Sequence, residues 1–170
     1  MTMKTLICDT NIFIDLIQAQ ALDTFWQLPQ ETYTTDLVIA EMTVPAQQAQ
    51  LVSAQREGRL IVLELSGEEI GQVAQFTTQR NLKRITDKSV LFKAIELRCC
   101  LLTGDRQLRL EAQDRGIEVH GSLWVIQQIH RARLATQTEL LQMVDDLAKN
   151  PRIPKKLLQQ LRDEISQAST

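Results

Sequence analysis

The chain has 170 residues, 44% of them apolar and 24% charged, which suits one globular domain with a full core. Its formal net charge of −2 excludes a protein that coats nucleic acid wholesale, although a local basic groove stays open to it. No apolar stretch approaches the ~18 residues that span a bilayer. Asp9 interrupts the apolar run of "MTMKTLICD" far too early for a secretory leader, so the expectation is a cytoplasmic protein with no membrane contact.

In chain order, "KTLIC" reads as a short buried strand. "TNIFIDLIQAQALDTFWQL" has helical spacing, with a break near Gln20 and a stop at Pro29. "ETYTT" is a second strand. "DLVIAEMTV" is a helix that Asp36 could cap. "PAQQAQLVSAQREG" places Pro45 at a helix start and Gly58 at its end. "RLIVLEL" is a third strand, and Ser66 with Glu69 forms a capping box that opens a helix through roughly Arg80. "TDKSVLFKAIELR" is the next helix. "CCLLTGD" is a strand running into a turn, "RQLRLEAQDRG" a helix closed by Gly116, and "IEVHG" a fifth strand. From Ser122 onward the chain is helical, with a capping box at Thr136 and Glu139 and breaks at Pro151 and Pro154. Short apolar strands alternate with helices and no hairpin signal occurs. That pattern predicts an α/β domain with a parallel sheet covered on both faces.

Three cysteines, Cys8, Cys99 and Cys100, lie in strand-like runs. Their odd number argues against a disulfide framework and for small core residues. With no C-x-x-C and no ligand spacing at His120 and His130, a zinc site is not expected. Each histidine is expected at an element end or on a helix surface.

The acids carry more information. In open α/β sheets, sites form beyond the carboxyl ends of the strands. The first strand runs into Asp9, and "CCLLTGD" ends at Asp105 after Thr103 and Gly104. If these two strands are neighbours, the acids face each other across one crevice. Glu41 follows Val38, Ile39 and Ala40 on the helix after strand two, and Asp87 lies in the first turn of the helix leading to the Asp105 strand. Each acid has a bland reading. Asp9 and Asp105 could be helix caps, Asp87 or Thr86 could cap its own helix, and Glu41 could be a solvated charge. Those readings are independent of one another, whereas a shared site explains all four acids at once. Two carboxylates about 4 Å apart repel by roughly 4 kcal/mol at an effective dielectric of about 20. A cluster must therefore take up protons or hold a cation, and all-oxygen ligands select Mg²⁺ or Mn²⁺. Such an ion can activate water and stabilise displacement at phosphorus, which points to a phosphodiesterase. Lys83, Arg84 and Lys88 around Asp87, and Arg106 after Asp105, form a candidate phosphate track. The bland reading of that run is a solvated face.

The segments "LICDTNIFIDL", "YTTDLVIAEM", "ITDKSVLFKAIEL" and "LLTGDRQLRLEAQDRGIEVHG", in that order, resemble the PIN-domain nucleases across residues 4–121. The resemblance implies a Rossmann-like, three-layer α/β/α fold with a short-stranded, mostly parallel five-stranded sheet. It also implies a Mg²⁺- or Mn²⁺-dependent ribonuclease site, with Asp9, Glu41, Asp87 and Asp105 as metal-binding catalytic residues. Asn11 and Thr103 match the polar residues that orient those acids. Similarity to VapC-type toxins adds RNA as substrate and a cognate antitoxin as partner. The chain departs from those compact toxins by running on past His130. On this reading residues 1–130 are the nuclease domain and residues 131–170 a C-terminal helical extension packed on it. Leu140, Leu141, Val144 and Leu147 make one apolar face of the extension, and Leu157, Leu158, Leu161 and Ile165 another. The alternative use of these faces is a homodimer or partner surface. A haloacid-dehalogenase-like phosphatase is excluded because residue 11 is Asn11, where that family's D-x-D needs its second acid. The remaining alternative is a PIN fold kept as a non-catalytic RNA- or protein-binding module.

Overall fold

In the computed structural model, which describes residues 4–168, short strands alternate with helices as the sequence pattern predicts. Residues 1–3, where the reading of the leader begins, lie outside the described part. The strands are β1 (Leu6–Cys8), β2 (Thr32–Thr35), β3 (Ile61–Leu63), β4 (Cys100–Leu102) and β5 (Val119–His120). They form one sheet in the order β3-β2-β1-β4-β5, and every pairing is parallel. The chain winds outward from β1 to β3, then returns to the other side of β1 for β4 and β5. The topological switch therefore lies between β1 and β4. Every residue of β1 and β4 is buried, so both faces of the sheet's centre are covered, as a parallel sheet requires. The fold is the expected α/β one, an all-parallel five-stranded sheet flanked by helices.

The helices are α1 (Thr10–Gln18), α2 (Leu22–Phe25), α3 (Asp36–Glu41), α4 (Pro45–Arg56), α5 (Gly67–Gln75), α6 (Ile85–Leu97), α7 (Arg106–Asp114), α8 (Ser122–Arg131), α9 (Gln137–Leu147) and α10 (Lys155–Gln167). None of the described helices is long and apolar enough to cross a membrane. The chain divides into two compact units. One takes the chain up to Asn11 with Gln30–His120, and the other takes Ile12–Pro29 with the chain from Gly121 on.

Two local expectations for the first unit are corrected. Thr35, not Asp36, caps α3: its hydroxyl accepts from the Val38 N–H. Asp36 sits in the first turn, where its Oδ1 accepts from Leu37 and Leu65 N–H groups. The helix opened by the Ser66–Glu69 box, which is present as expected, ends at Gln75 rather than near Arg80. Tertiary contacts take over there. Phe76 packs edge-on against Phe92 with ring centroids 5.9 Å apart, and the Arg115 guanidinium lies 4.7 Å from the Phe76 ring. Thr77 and Thr78, both β-branched, favour the departure from helix. The N–H groups of Gln79 and Arg80 then donate to the two carboxylate oxygens of Glu111, at 3.2 and 3.0 Å. Glu111 is buried on α7 and also pairs with Arg115. One carboxylate thus fixes the segment that leads to Lys83 and Arg84.

In the second unit, Gln20 breaks the helical run with a left-handed φ of 54°. The buried Asp15 carboxylate accepts from Ser122 Oγ at 2.5 Å and Asn150 Nδ2 at 2.9 Å, joining α1 to the start of α8 and the turn after α9. The Thr136–Glu139 box caps α9 as expected. Leu140, Val144 and Leu147 are buried with Met143, and Leu158, Leu161 and Ile165 are buried on α10. Leu157 departs from the expected apolar face and is 46% exposed.

Replacing Glu111 with alanine should destabilise the protein by about 2 kcal/mol, the scale of hydrogen bonds to a charged group. It should also strip exchange protection from the Gln79 and Arg80 amides. Urea denaturation with hydrogen exchange checks this, and unchanged amide protection would remove Glu111 as the anchor.

Candidate active site at the carboxyl edge of the sheet

Pairing of β1 with β4 continues one residue past β1, through a 3.0 Å bond from Asp9 N–H to the Leu102 carbonyl. This brings the side chain of Asp9 next to the turn after β4. Asp9 is 1% exposed. Its Oδ2 accepts from Thr103 Oγ1 at 2.9 Å and its Oδ1 from the Thr10 N–H at 2.7 Å. The Thr103 hydroxyl in turn accepts from the Asp105 N–H at 3.1 Å, so one threonine links the two strand-end acids. Burial pushes the Asp9 carboxyl above its usual range. The bonds from Thr103 and Thr10 and the charge of Arg84 oppose that shift, and Asp105 adds to it.

Asp105 does cap α7, accepting from the Leu108 N–H at 2.8 Å through Oδ1. That bond uses one oxygen, so the capping role and a role in a site coexist. Neither Asp87 nor Thr86 caps α6, whose N-cap is Arg84 with no side-chain bond. Asp87 is nevertheless 7% exposed. Burial first, then the charges of Asp9 and Asp105, push it up to about 6, against the pull of Arg84. A carboxylate placed out of water without capping its helix has no structural account of its own. Glu41, the last residue of α3, is not a solvated charge either. Its Oε2 accepts from Thr10 Oγ1 at 2.6 Å, and its other oxygen is ion-paired with Arg84.

All four sequence-selected acids therefore belong to one electrostatic group, joined by Thr103 between Asp9 and Asp105 and by Thr10 between Asp9 and Glu41. Arg84 is the cation that acts on the group. One guanidinium against four carboxylates leaves negative charge in a site whose deepest members, Asp9 and Asp87, are withdrawn from water. Hard oxygen donors with excess negative charge fit a Mg²⁺- or Mn²⁺-like ion. The acids approach without closing to mutual ligand spacing. Among the described residues, the three donor groups that lie within 4.8 Å of one another belong to a different set.

The flanking residues divide. Lys83 and Arg106 are exposed and Lys88 is half-buried, and none of the three is ion-paired among the described residues, whereas Arg84 is engaged with Glu41. Thr103 contacts the acids, while Asn11 makes no hydrogen bond to them. The contact that sequence reasoning missed is Thr10, which lies between Asp9 and Asn11 and bonds both Asp9 and Glu41. Arg109 braces the turn by donating to the Thr103 carbonyl at 3.2 Å.

A parallel α/β sheet with a carboxylate cluster at its switch point defines the class: an α/β protein whose acidic site lies at the carboxyl edge. The family model of the PIN domain matches residues 5–167, and the chain belongs to that family. None of the curated proteins matches it. Among solved structures it is similar to a PilT N-terminus domain protein from the hyperthermophilic archaeon Sulfolobus solfataricus P2. That similarity is at 10% identity and a TM-score of 0.47, covering 74% of this chain and 92% of that one.

The Asp87 shift has a signed consequence. With its pKa raised from 3.8 to about 6, Asp87 keeps a proton in the folded chain that the unfolded chain loses. The stability from that proton is fully present below about pH 4 and lost as pH rises through about 6. In chelator, D87N should therefore match the parent near pH 4 and exceed it at pH 7 by up to about 3 kcal/mol. Denaturation at both pH values measures the difference, and a gap that does not change with pH would contradict this environment for Asp87.

Proposed function

We propose that this chain is a divalent-metal-dependent endoribonuclease acting as the toxin of a VapC-type toxin–antitoxin pair. The observation that carries the proposal is the gathering of Asp9, Asp87 and Asp105 at the β1–β4 switch, with Asp87 buried where no structural role explains it. Asp9, Glu41, Asp87 and Asp105 would hold Mg²⁺ or Mn²⁺, which when bound supplies Lewis acidity for hydrolysis at a phosphate. Thr103 and Thr10 fix both oxygens of Asp9 and so set its orientation. Arg84 neutralises Glu41 in the metal-free protein, and its planar fork suits a phosphate as well as a carboxylate. Lys83, Lys88 and Arg106 offset the repulsion between an acidic cleft and RNA. Motif order supports the nuclease part of this reading; the toxin part rests on the resemblance to VapC-type toxins, from which the chain departs by running on past His130, and it would go with a cytoplasmic location and a small antitoxin as partner. An antitoxin reading frame beside the gene would support that part independently.

The direct test is cleavage of single-stranded RNA with Mn²⁺. D9N should lose about 100-fold or more in rate while its melting temperature in chelator stays level or rises, because a repelling charge is gone. Full cleavage by D9N would remove Asp9 from the chemistry, and a large fall in melting temperature would make its role structural.

Substrate binding gives a second check. Replacing Lys83 and Arg84 together with alanine should weaken RNA binding and flatten its salt dependence by about one unit for each phosphate these side chains neutralise. An unchanged slope would assign these residues to an ordinary solvated surface.

A further inference from the structure

β4 and β5 pair in parallel with Leu101 opposite Val119 and Leu102 opposite His120. One step back, Cys100 stands opposite Glu118, and the two-residue period of a strand puts Glu118 and His120 on the same face. Sheet register thus assembles a thiol, a carboxylate and an imidazole that have no ligand spacing along the chain. Their donor atoms all lie within 4.8 Å of one another. None of the three belongs to the acids of the proposed nuclease site.

We propose that Cys100, Glu118 and His120 form a Zn²⁺ site with three protein ligands and a fourth position left for water. The donor chemistry selects the ion. A sulfur, a nitrogen and an oxygen suit a borderline-soft metal, whereas Mg²⁺ and Ca²⁺ take oxygen alone. Tetrahedral zinc–ligand bonds of about 2.0–2.3 Å set ligand atoms roughly 3.3–3.7 Å apart, so the wider pairs of this set would close modestly while His120 Nε2 and Glu118 Oε1, 2.8 Å apart, would open. Burial is graded across it. Cys100 is buried, His120 is half-buried and the Glu118 side chain is 42% exposed. The inner ligand is therefore the sulfur, and the rim is open to water. Cys100 and Glu118 also line a cavity of about 700 Å³ that Lys4, Cys99, Arg98 and Arg115 share, which gives an ion a route to the thiol.

The cluster already holds a cation at this place. Lys4 Nζ lies 2.6 Å from Glu118 Oε2, and His120 Nε2 lies 2.8 Å from Oε1. Zn²⁺ would bind by displacing the Lys4 ammonium from Glu118 and the proton from the Cys100 sulfur. Zinc–sulfur, zinc–oxygen and zinc–nitrogen bonds form, and one thiol proton is released to solvent. Because the thiol must give up its proton to bind the ion, affinity should rise with pH.

The full-length chain, freed of metal and kept reduced, should be titrated with Co²⁺ as a spectroscopic probe and then with Zn²⁺ in competition. The expected result is one thiolate-bound ion per chain, read by a thiolate-to-metal charge-transfer band that saturates at one equivalent in the D9N background and is displaced by Zn²⁺; Co²⁺ taken up by the acids at the β1–β4 switch carries no such band. C100S should abolish the band. H120A and the surface change E118Q should each weaken binding at least about tenfold, D9N should leave it unchanged, and K4A should tighten it. E118Q keeps the test decisive if C100S folds poorly. Absence of stoichiometric binding, a band that survives C100S, or an affinity indifferent to both E118Q and H120A would overturn the site.

Discussion

The side chain of Asp9 is almost wholly withdrawn from water, and everything proposed for the carboxyl edge depends on how it is held there. Its place follows from the parallel pairing of β1 with β4, which runs on through the Asp9 N–H to Leu102. Two donors, Thr103 and Thr10, then reach its two oxygens. A carboxylate in this position is tolerable only if its charge is met by hydrogen bonds, by a cation or by a proton. The hydrogen bonds are present, and they do not suffice: burial still pushes Asp9 upward, and Asp87 beside it is pushed up as well. The remaining imbalance is what a bound divalent ion would relieve.

Arg84 shows how the protein tolerates that imbalance without metal. It forms the N-cap of α6, just ahead of the turn that carries Asp87, and pairs with Glu41 from α3. Its position is set at a distance by Glu111, which ties down the Gln79–Arg80 backbone just upstream. A buried carboxylate on α7 therefore serves the site without touching it, by fixing the path of the segment that delivers the guanidinium. The same chain of contacts explains why α5 stops early. Continuing the helix to Arg80 would forfeit the Phe76–Phe92 packing and both bonds to Glu111.

The strand-end acids were legible in the sequence because their signal is local: an apolar run that ends on a carboxylate. The adjacency of β1 and β4, on which the crevice depends, was not legible, because doubly wound sheets place different strands beside β1; the observed pairing decides it. Helix caps were harder, since Thr35 and Asp36 are both good capping residues and backbone geometry alone decides between them. Thr10 was hidden between two residues with stronger motif signals. Least legible was the proximity of Cys100 to Glu118 and His120. Spacing rules for metal ligands assume neighbours along the chain, and here the neighbours are made by the register of two paired strands.

The central claim is that the acids at the β1–β4 switch hold a hard divalent ion. A crystal soaked in Mn²⁺ and measured at the manganese absorption edge tests it most directly, because the anomalous signal locates the ion without reference to activity. The expected result is a peak bounded by Asp9, Asp87 and Asp105, with Glu41 turned from Arg84 toward the ion. No peak at that edge of the sheet, or manganese bound only elsewhere while Glu41 stays paired with Arg84, would contradict a metal-dependent site there.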